Sequence, residues 1–164
     1  MAVTHWISKV SGKPWFSKLG QAVVPVDLAL QRRTRGRVGL MRALGVPHLL
    51  LTTTGRRTGQ PRSVPLQYLP SGGEYVVVAS NWGKDHHAAW SANLLATPDA
   101  VVSENGRDVP VRARLLRGDE RERAWRRLTE QWPAYDDYAE RAGNREIRLF
   151  ALAPKEPKEE GNGR

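Results

Sequence analysis

Between Thr52 and Arg62 the chain reads Thr52-Thr53-Thr54-Gly55-Arg56-Arg57-Thr58-Gly59-Gln60-Pro61-Arg62. Two glycines bracket a pair of arginines, and a third arginine follows. Such a turn gathers Arg56, Arg57 and Arg62 with hydroxyls and free backbone N–H groups, a donor set suited to a phosphate or carboxylate. It lacks the lysine and spacing of a nucleotide P-loop, which excludes that motif. Taken alone, the turn serves equally as a solvated hairpin tip. Its surroundings favour an anion site. No acidic residue occurs between Asp27 and Glu74, a span that holds Arg32, Arg33, Arg35, Arg37, Arg42, Arg56, Arg57 and Arg62. Those eight charges nearly equal the net charge of +9, so the excess is concentrated in one stretch of chain. Nucleic acid, anionic lipid and a polyanionic cofactor all fit such a surface.

Two further groups could carry chemistry. Trp82, Trp90 and Asn93 surround a polar loop and the helix after it. Tryptophans usually pack in cores, yet one beside a tight loop can stack on a flat ring, and an asparagine amide can read a ring's carbonyl and imide pattern. Tyr135 and Tyr138 are three apart and share one helix face. They serve either as packing for a capping helix or as phenols that hydrogen-bond or give a proton in a pocket. No metal is expected. His86 and His87 are adjacent on the expected helix and diverge by about 100°, and His5 and His48 are the only other histidines. The chain has no cysteine, which excludes disulfides, thiolate metal sites and a cysteine nucleophile.

These residues must be positioned by an alternation of helices and strands. Residues 16 to 44 read as helical, with Pro25 marking a turn or kink. Strands are expected over His48–Thr54, Arg62–Leu69 and Glu74–Ser80, the last two joined through Pro70-Ser71-Gly72-Gly73. Asp85 is expected to cap a helix running through Ala96. Val101–Glu104 and Arg107–Leu116 flank the hairpin signal Asn105-Gly106. Asp119 and Glu122 resemble a capping box for a helix to Trp132, which Pro133 breaks. A short helix bearing the tyrosines and a strand over Arg145–Leu152 complete the order. The expected fold is α+β: a small, partly open, mainly antiparallel barrel with helices over its openings. The expected division is an arm over 1–44, a barrel domain over 45–153 and a disordered tail over 154–164. Trp6, Ile7, Val10, Trp15, Phe16 and Leu19 lie among lysines. Packing on the domain is the favoured reading for them, and peripheral contact with a membrane surface is the alternative. Without a secretory signal or cysteines, a cytoplasmic location is expected.

Taken in order, these residues resemble the deazaflavin-dependent nitroreductase family, also described as F420-dependent quinone reductases. The likeness runs over roughly residues 38 to 152. It is carried by Leu49 through Arg62, Pro65-Leu66, Val78-Ala79-Ser80, Trp90, Asn93-Leu94, Pro98, Pro133, Tyr135 and Tyr138. The resemblance implies a split β-barrel that binds reduced coenzyme F420, a polyanion. It implies that Arg56, Arg57, Thr58 and Arg62 hold the phosphate and the start of the polyglutamate tail. Ser63, Val64, Pro65 and Leu66, then Val78, Ala79, Ser80 and Asn81, then Ala89, Trp90, Ser91, Ala92 and Asn93 would line the deazaflavin. Tyr135 would close the pocket, and Tyr138 with Ser80 would face the substrate. The implied reaction passes a hydride to a quinone, a nitro compound or another activated acceptor, with Tyr135, Tyr138 or water supplying the proton. Where a member of that family has lysine then glycine, this chain has Asn81 and Trp82, and Trp132 replaces a tyrosine. The acceptor preference is therefore not expected to carry over. Two alternatives stand beside this reading: FMN with its phosphate in the same turn, and a non-catalytic basic module for RNA or anionic lipid. The second lacks any nucleic-acid fold signature, so nucleic acid is not the expected partner.

Overall fold

The computed structural model describes residues 13–43 and 45–155. Expectations for His5, Trp6, Ile7, Val10 and residues 156–164 lie outside the described residues. The chain begins with helix α1 (Pro14–Thr34) and a one-turn helix α2 (Leu40–Ala43). Strands β1 (His48–Thr54), β2 (Pro61–Ser71) and β3 (Glu74–Val78) follow. A short 3-10 turn over Asn81–Gly83 leads to helix α3 (Ala89–Ala96). Then come β4 (Asp99–Glu104), β5 (Arg107–Leu115), α4 (Gly118–Gln131), α5 (Ala134–Ala142) and β6 (Leu149–Pro154). All six strands pair antiparallel in the order β1-β2-β3-β6-β5-β4, and the pairing of β1 with β4 closes the ring. The barrel is thus closed rather than partly open. Leu50 opposite Ser103 and Leu51 opposite Val102 make the closing seam.

Alternation along each strand divides the apolar residues between two cores. Leu49, Leu51, Val77, Val102, Val111, Phe150 and Leu152 fill the barrel interior and are essentially inaccessible. Val76, Val78, Leu149 and Ala151 face outward and meet Leu128, Trp132, Tyr135, Tyr138 and Ile147. Strands buried on both faces explain why β3 and β6 read as continuous apolar runs. Each buried Leu, Val or Phe contributes about 1.5–3 kcal/mol.

Several local expectations are corrected. The helical stretch over 16–44 is interrupted: Arg35, at φ 48°, ends α1 in a left-handed cap. Asp85 does not cap α3, which starts at Ala89 after Ala88; its carboxylate accepts from His86 Nδ1 at 2.9 Å instead. His86 and His87 therefore do not sit on a helix. Asp119 is no N-cap either, because α4 begins at Gly118 after Arg117; the carboxylate lies in the first turn, where it complements the helix dipole. The last strand begins at Leu149, not Arg145. The Arg145 guanidinium is held by the carbonyls of Lys84, Ala79 and Ser80, which keeps that segment off the sheet. The Asn105-Gly106 hairpin forms as expected, at φ 52° and 80°.

Candidate functional site

One cavity of about 900 Å³ opens beside the barrel. His48, Leu50 and Thr52 of β1 stand directly across from Gln67, Pro65 and Ser63 of β2, so these six share the outer face of the barrel wall. Of them His48, Ser63, Pro65 and Gln67 line the cavity. Helix α1 forms the opposite wall, and the Asn81–Gly83 turn, α3 and α5 close the sides. The cavity has two chemically distinct ends.

At one end is the arginine turn. Gly55 N–H donates to Gln60 O at 2.8 Å, and Gly59 N–H donates to Gly55 O at 2.8 Å. Gly59 takes φ 67°, a conformation that glycine adopts without steric cost. Gly55 serves a different need, because a Cβ there would stand 2.9 Å from Thr58 Oγ1. Arg56, Arg57 and Arg62 are exposed and line the cavity with Thr58. Among the described residues no ion pair involves them. Asn93 braces the turn from behind. Its Oδ1 accepts from Arg56 N–H at 3.1 Å, and its Nδ2 donates to Thr53 Oγ1 at 3.0 Å. Both halves of the buried amide are thus engaged with protein, which gives Asn93 a positioning role.

At the other end are the tyrosines. Tyr135 and Tyr138 are buried, with ring centroids 6.1 Å apart. The Tyr135 hydroxyl donates to Gln67 Oε1 at 3.3 Å. Burial pushes the Tyr135 phenol well above the usual range, and the neighbouring Tyr138 adds to this. Burial also raises Tyr138, against the lowering effects of Ser17 and the nearby Arg141 guanidinium. Both phenols therefore keep their protons across neutral pH. They are suited to donating a hydrogen bond and reluctant to release a proton.

The structure brings together Arg56, Arg57, Thr58, Arg62, Ser63, Val64, Pro65, Leu66, Val78, Ser80, Asn81, Ala89, Trp90, Asn93, Tyr135 and Tyr138 around one cavity. Ala79, Ser91 and Ala92 do not line it. Ala79 is buried in the barrel core. Ser91 is buried behind the wall, donating to Ala88 O at 2.8 Å and accepting from Arg148 Nη1 at 3.2 Å. Asn81 spends its amide on the loop, donating to His86 O at 2.9 Å.

Sequence reasoning missed the roof. The inward face of α1 carries Ser17, Gly20, Asp27 and Gln31, while Trp15, Leu19, Val26 and Leu30 are 56%, 56%, 71% and 40% exposed. The spacing 15-19-26-30 is one narrow helical stripe, so α1 turns apolar residues outward along it, while Phe16, Val23 and Val24, with Leu19 at the stripe's edge, line the cavity. Inside, Asp27 accepts from Gln31 Nε2 and from Leu40 N–H, both at 2.7 Å. Gln31 Oε1 and the neighbouring His48 Nε2 are buried without a hydrogen-bond partner among the described residues. The i, i+4 spacing of Asp27 and Gln31 was the available signal; their meeting with His48 is tertiary.

The Asn81–Gly83 turn is strained. Asn81, Trp82 and Gly83 have φ values of 47°, 58° and 73°. For the two non-glycine residues such conformations cost of order 1–3 kcal/mol each.

Comparisons with known proteins identify relatives of this chain. Residues 25–154 match the model of the F420H(2)-dependent quinone reductase family. A Mycobacterium tuberculosis F420H(2)-dependent quinone reductase is 33% identical over 103 residues, covering 63% of this chain and 64% of that protein. This chain thus spans just under two thirds of that relative's length. A second M. tuberculosis protein, described as a putative F420H(2)-dependent quinone reductase, is 32% identical over 110 residues, covering 67% and 92%. Among solved structures, an F420-H2 dependent reductase is 36% identical with a TM-score of 0.59, covering 65% of this chain and 93% of that one. A haem storage protein from Vibrio cholerae, HutZ, has a TM-score of 0.52 at 15% identity, over 70% and 85% of the two chains, and shares the fold alone. Neither the FMN alternative nor the RNA or lipid module gains support from these matches. The chain belongs to the F420H(2)-dependent quinone reductase family.

Proposed function

We propose that the protein is an F420H2-dependent oxidoreductase that passes a hydride to a quinone, with nitro compounds as further acceptors. The observation that carries this reading is the arginine turn opening into a cavity that continues to the buried tyrosine pair. The donor set fits the cofactor. Three guanidiniums without an acidic partner among the described residues suit a polyanion, and a cavity of about 900 Å³ is of the size that holds cofactors. Arg56, Arg57, Thr58 and Arg62 would hold the phosphate and tail. Ser63 to Leu66, Val78, Ser80, Asn81, Ala89, Trp90 and Asn93 would surround the ring, and Ala79, Ser91 and Ala92 would back that wall. The bound deazaflavin supplies the hydride. The protein's own work is to position the ring and acceptor, to exclude water between α1 and the barrel, and to offer the acceptor oxygen hydrogen bonds from Ser80 and Tyr138, and from Tyr135 once its hydroxyl turns from Gln67 Oε1. Because both phenols are held protonated, we assign them hydrogen-bond donation and leave the net proton to water. In a fluorescence titration we expect saturable F420 binding in about the micromolar range; no saturation would overturn the reading.

We further propose a peripheral membrane location. No helix among the described residues is long and apolar enough to cross a membrane. The outward stripe Trp15, Val26 and Leu30, with Lys18, Arg32 and Arg33 on the same helix, suits an interfacial helix on an anionic surface. Sedimentation with anionic vesicles should fall for Val26→Asp; equal sedimentation of the two proteins would sink this proposal.

A further inference from the structure

Trp82 occupies a position that ordinary chain chemistry disfavours. Its backbone is left-handed at φ 58° within a run of three positive φ values, where glycine would sit without strain. Its neighbours hold it there. A Cβ on Gly20 of α1 would stand 2.6 Å from Trp82 Cη2 and 3.0 Å from Cζ3, so α1 leaves a side-chain-free seat for the indole. The Tyr138 ring meets it edge to face at 6.3 Å. The turn is packed directly on α5, where even a Cβ on Gly83 would stand 2.9 Å from Tyr138 O, so it cannot move further toward that helix. The indole therefore bridges roof and tyrosine wall, and it lines the cavity.

We propose that Trp82 sets the size of acceptor that this cavity takes, by filling the space between α1 and the tyrosine pair. This rests on reading the tyrosine end of the cavity as the acceptor site. The indole restricts that end to small flat rings. Removing it joins the space beneath Gly20 to the cavity, and glycine at 82 fits the existing backbone. A merely structural Trp82 would instead, on removal, weaken stability and all binding together.

The test compares wild type with Trp82→Gly, Trp82→Phe and Gly20→Ala, using a one-ring benzoquinone and a three-ring anthraquinone. Two readouts are taken: equilibrium dialysis of each quinone with cofactor-free protein, and the ratio of kcat/KM values with F420H2. Trp82→Gly should raise the anthraquinone-to-benzoquinone ratio by about tenfold or more in both, as expected for opening a size-limited pocket. Trp82→Phe should shift it less. Gly20→Ala, which forces the rigid indole from its seat, should change the ratio without altering residue 82. F420 affinity is measured alongside, so that a change in the quinone ratio is read separately from any change in cofactor binding. Unchanged ratios in folded variants that still bind F420 would overturn the proposal. If Trp82→Gly does not fold, the other two variants decide. Absence of F420 binding in wild type would overturn the function reading instead, and the dialysis would still report on Trp82.

Discussion

The two ends of the cavity achieve their chemistry by opposite means. The arginine turn is exposed, charged and built from eight consecutive residues whose shape is set by Gly55, Gly59 and their backbone hydrogen bonds. The tyrosine end is buried and presents uncharged rings, and is built from α1, the Asn81–Gly83 turn and α5, which are far apart in sequence. An anion grip needs only flexible donors reaching from a fixed turn, so local chemistry suffices. A site that receives a flat neutral acceptor needs water excluded and rings held still, and only packing between distant elements supplies that. The first end should respond to salt, the second to burial and shape.

The largest expected effect breaks the charged end. Arg56→Ala with Arg57→Ala should weaken F420 binding about thirtyfold at low ionic strength, and less at high salt, read by fluorescence titration at two salt concentrations. Equal loss at both would remove the electrostatic account of the turn. Next, Asn93→Leu tests whether that end depends on its brace. Leaving Arg56 N–H and the Thr53 hydroxyl without their partner should cost about 2 kcal/mol of stability and weaken F420 about tenfold, measured by denaturant unfolding and titration. Unaltered affinity would return Asn93 to a packing role. The smallest effect sharpens the buried end. The Tyr135 and Tyr138 phenols are raised above their unfolded value of about 10, so their contribution to stability is complete below that pH. It is lost as pH rises through the higher folded values. Urea midpoints should hold from pH 7 to about 10 and fall above it, and Tyr135→Phe should flatten the fall. A variant with the wild-type alkaline slope would contradict the assigned burial effect.

How much of this was legible in the sequence follows the same division. Arg56, Arg57, Thr58 and Arg62 could be placed because glycine spacing dictates a turn within a few residues. Tyr135 and Tyr138 could be paired because helical periodicity fixes which residues share a face. The Asp27–Gln31 pair with His48 could not, since α1 and β1 meet only in the folded chain. Ring closure was equally hidden: whether β1 reaches β4 depends on a non-local pairing. The failed caps at Asp85 and Asp119 have local causes of another kind. Asp85 found a competing partner in His86, and α4 started one residue early, details that propensity does not resolve. A tryptophan beside a tight loop marks Trp82 in the sequence, but its left-handed backbone and its seat on Gly20 belong to the packed structure.

The central claim is that a charged end and a neutral aromatic end together receive one polyanionic deazaflavin and its acceptor. The most direct test titrates the full chain with F420 and, in parallel, with FMN at low and high salt, following fluorescence. The account predicts saturable F420 binding in about the micromolar range that weakens as salt rises, with FMN, which has one phosphate and no polyglutamate tail, binding more weakly. No saturable F420 binding, or FMN binding of equal strength and salt dependence, would contradict it.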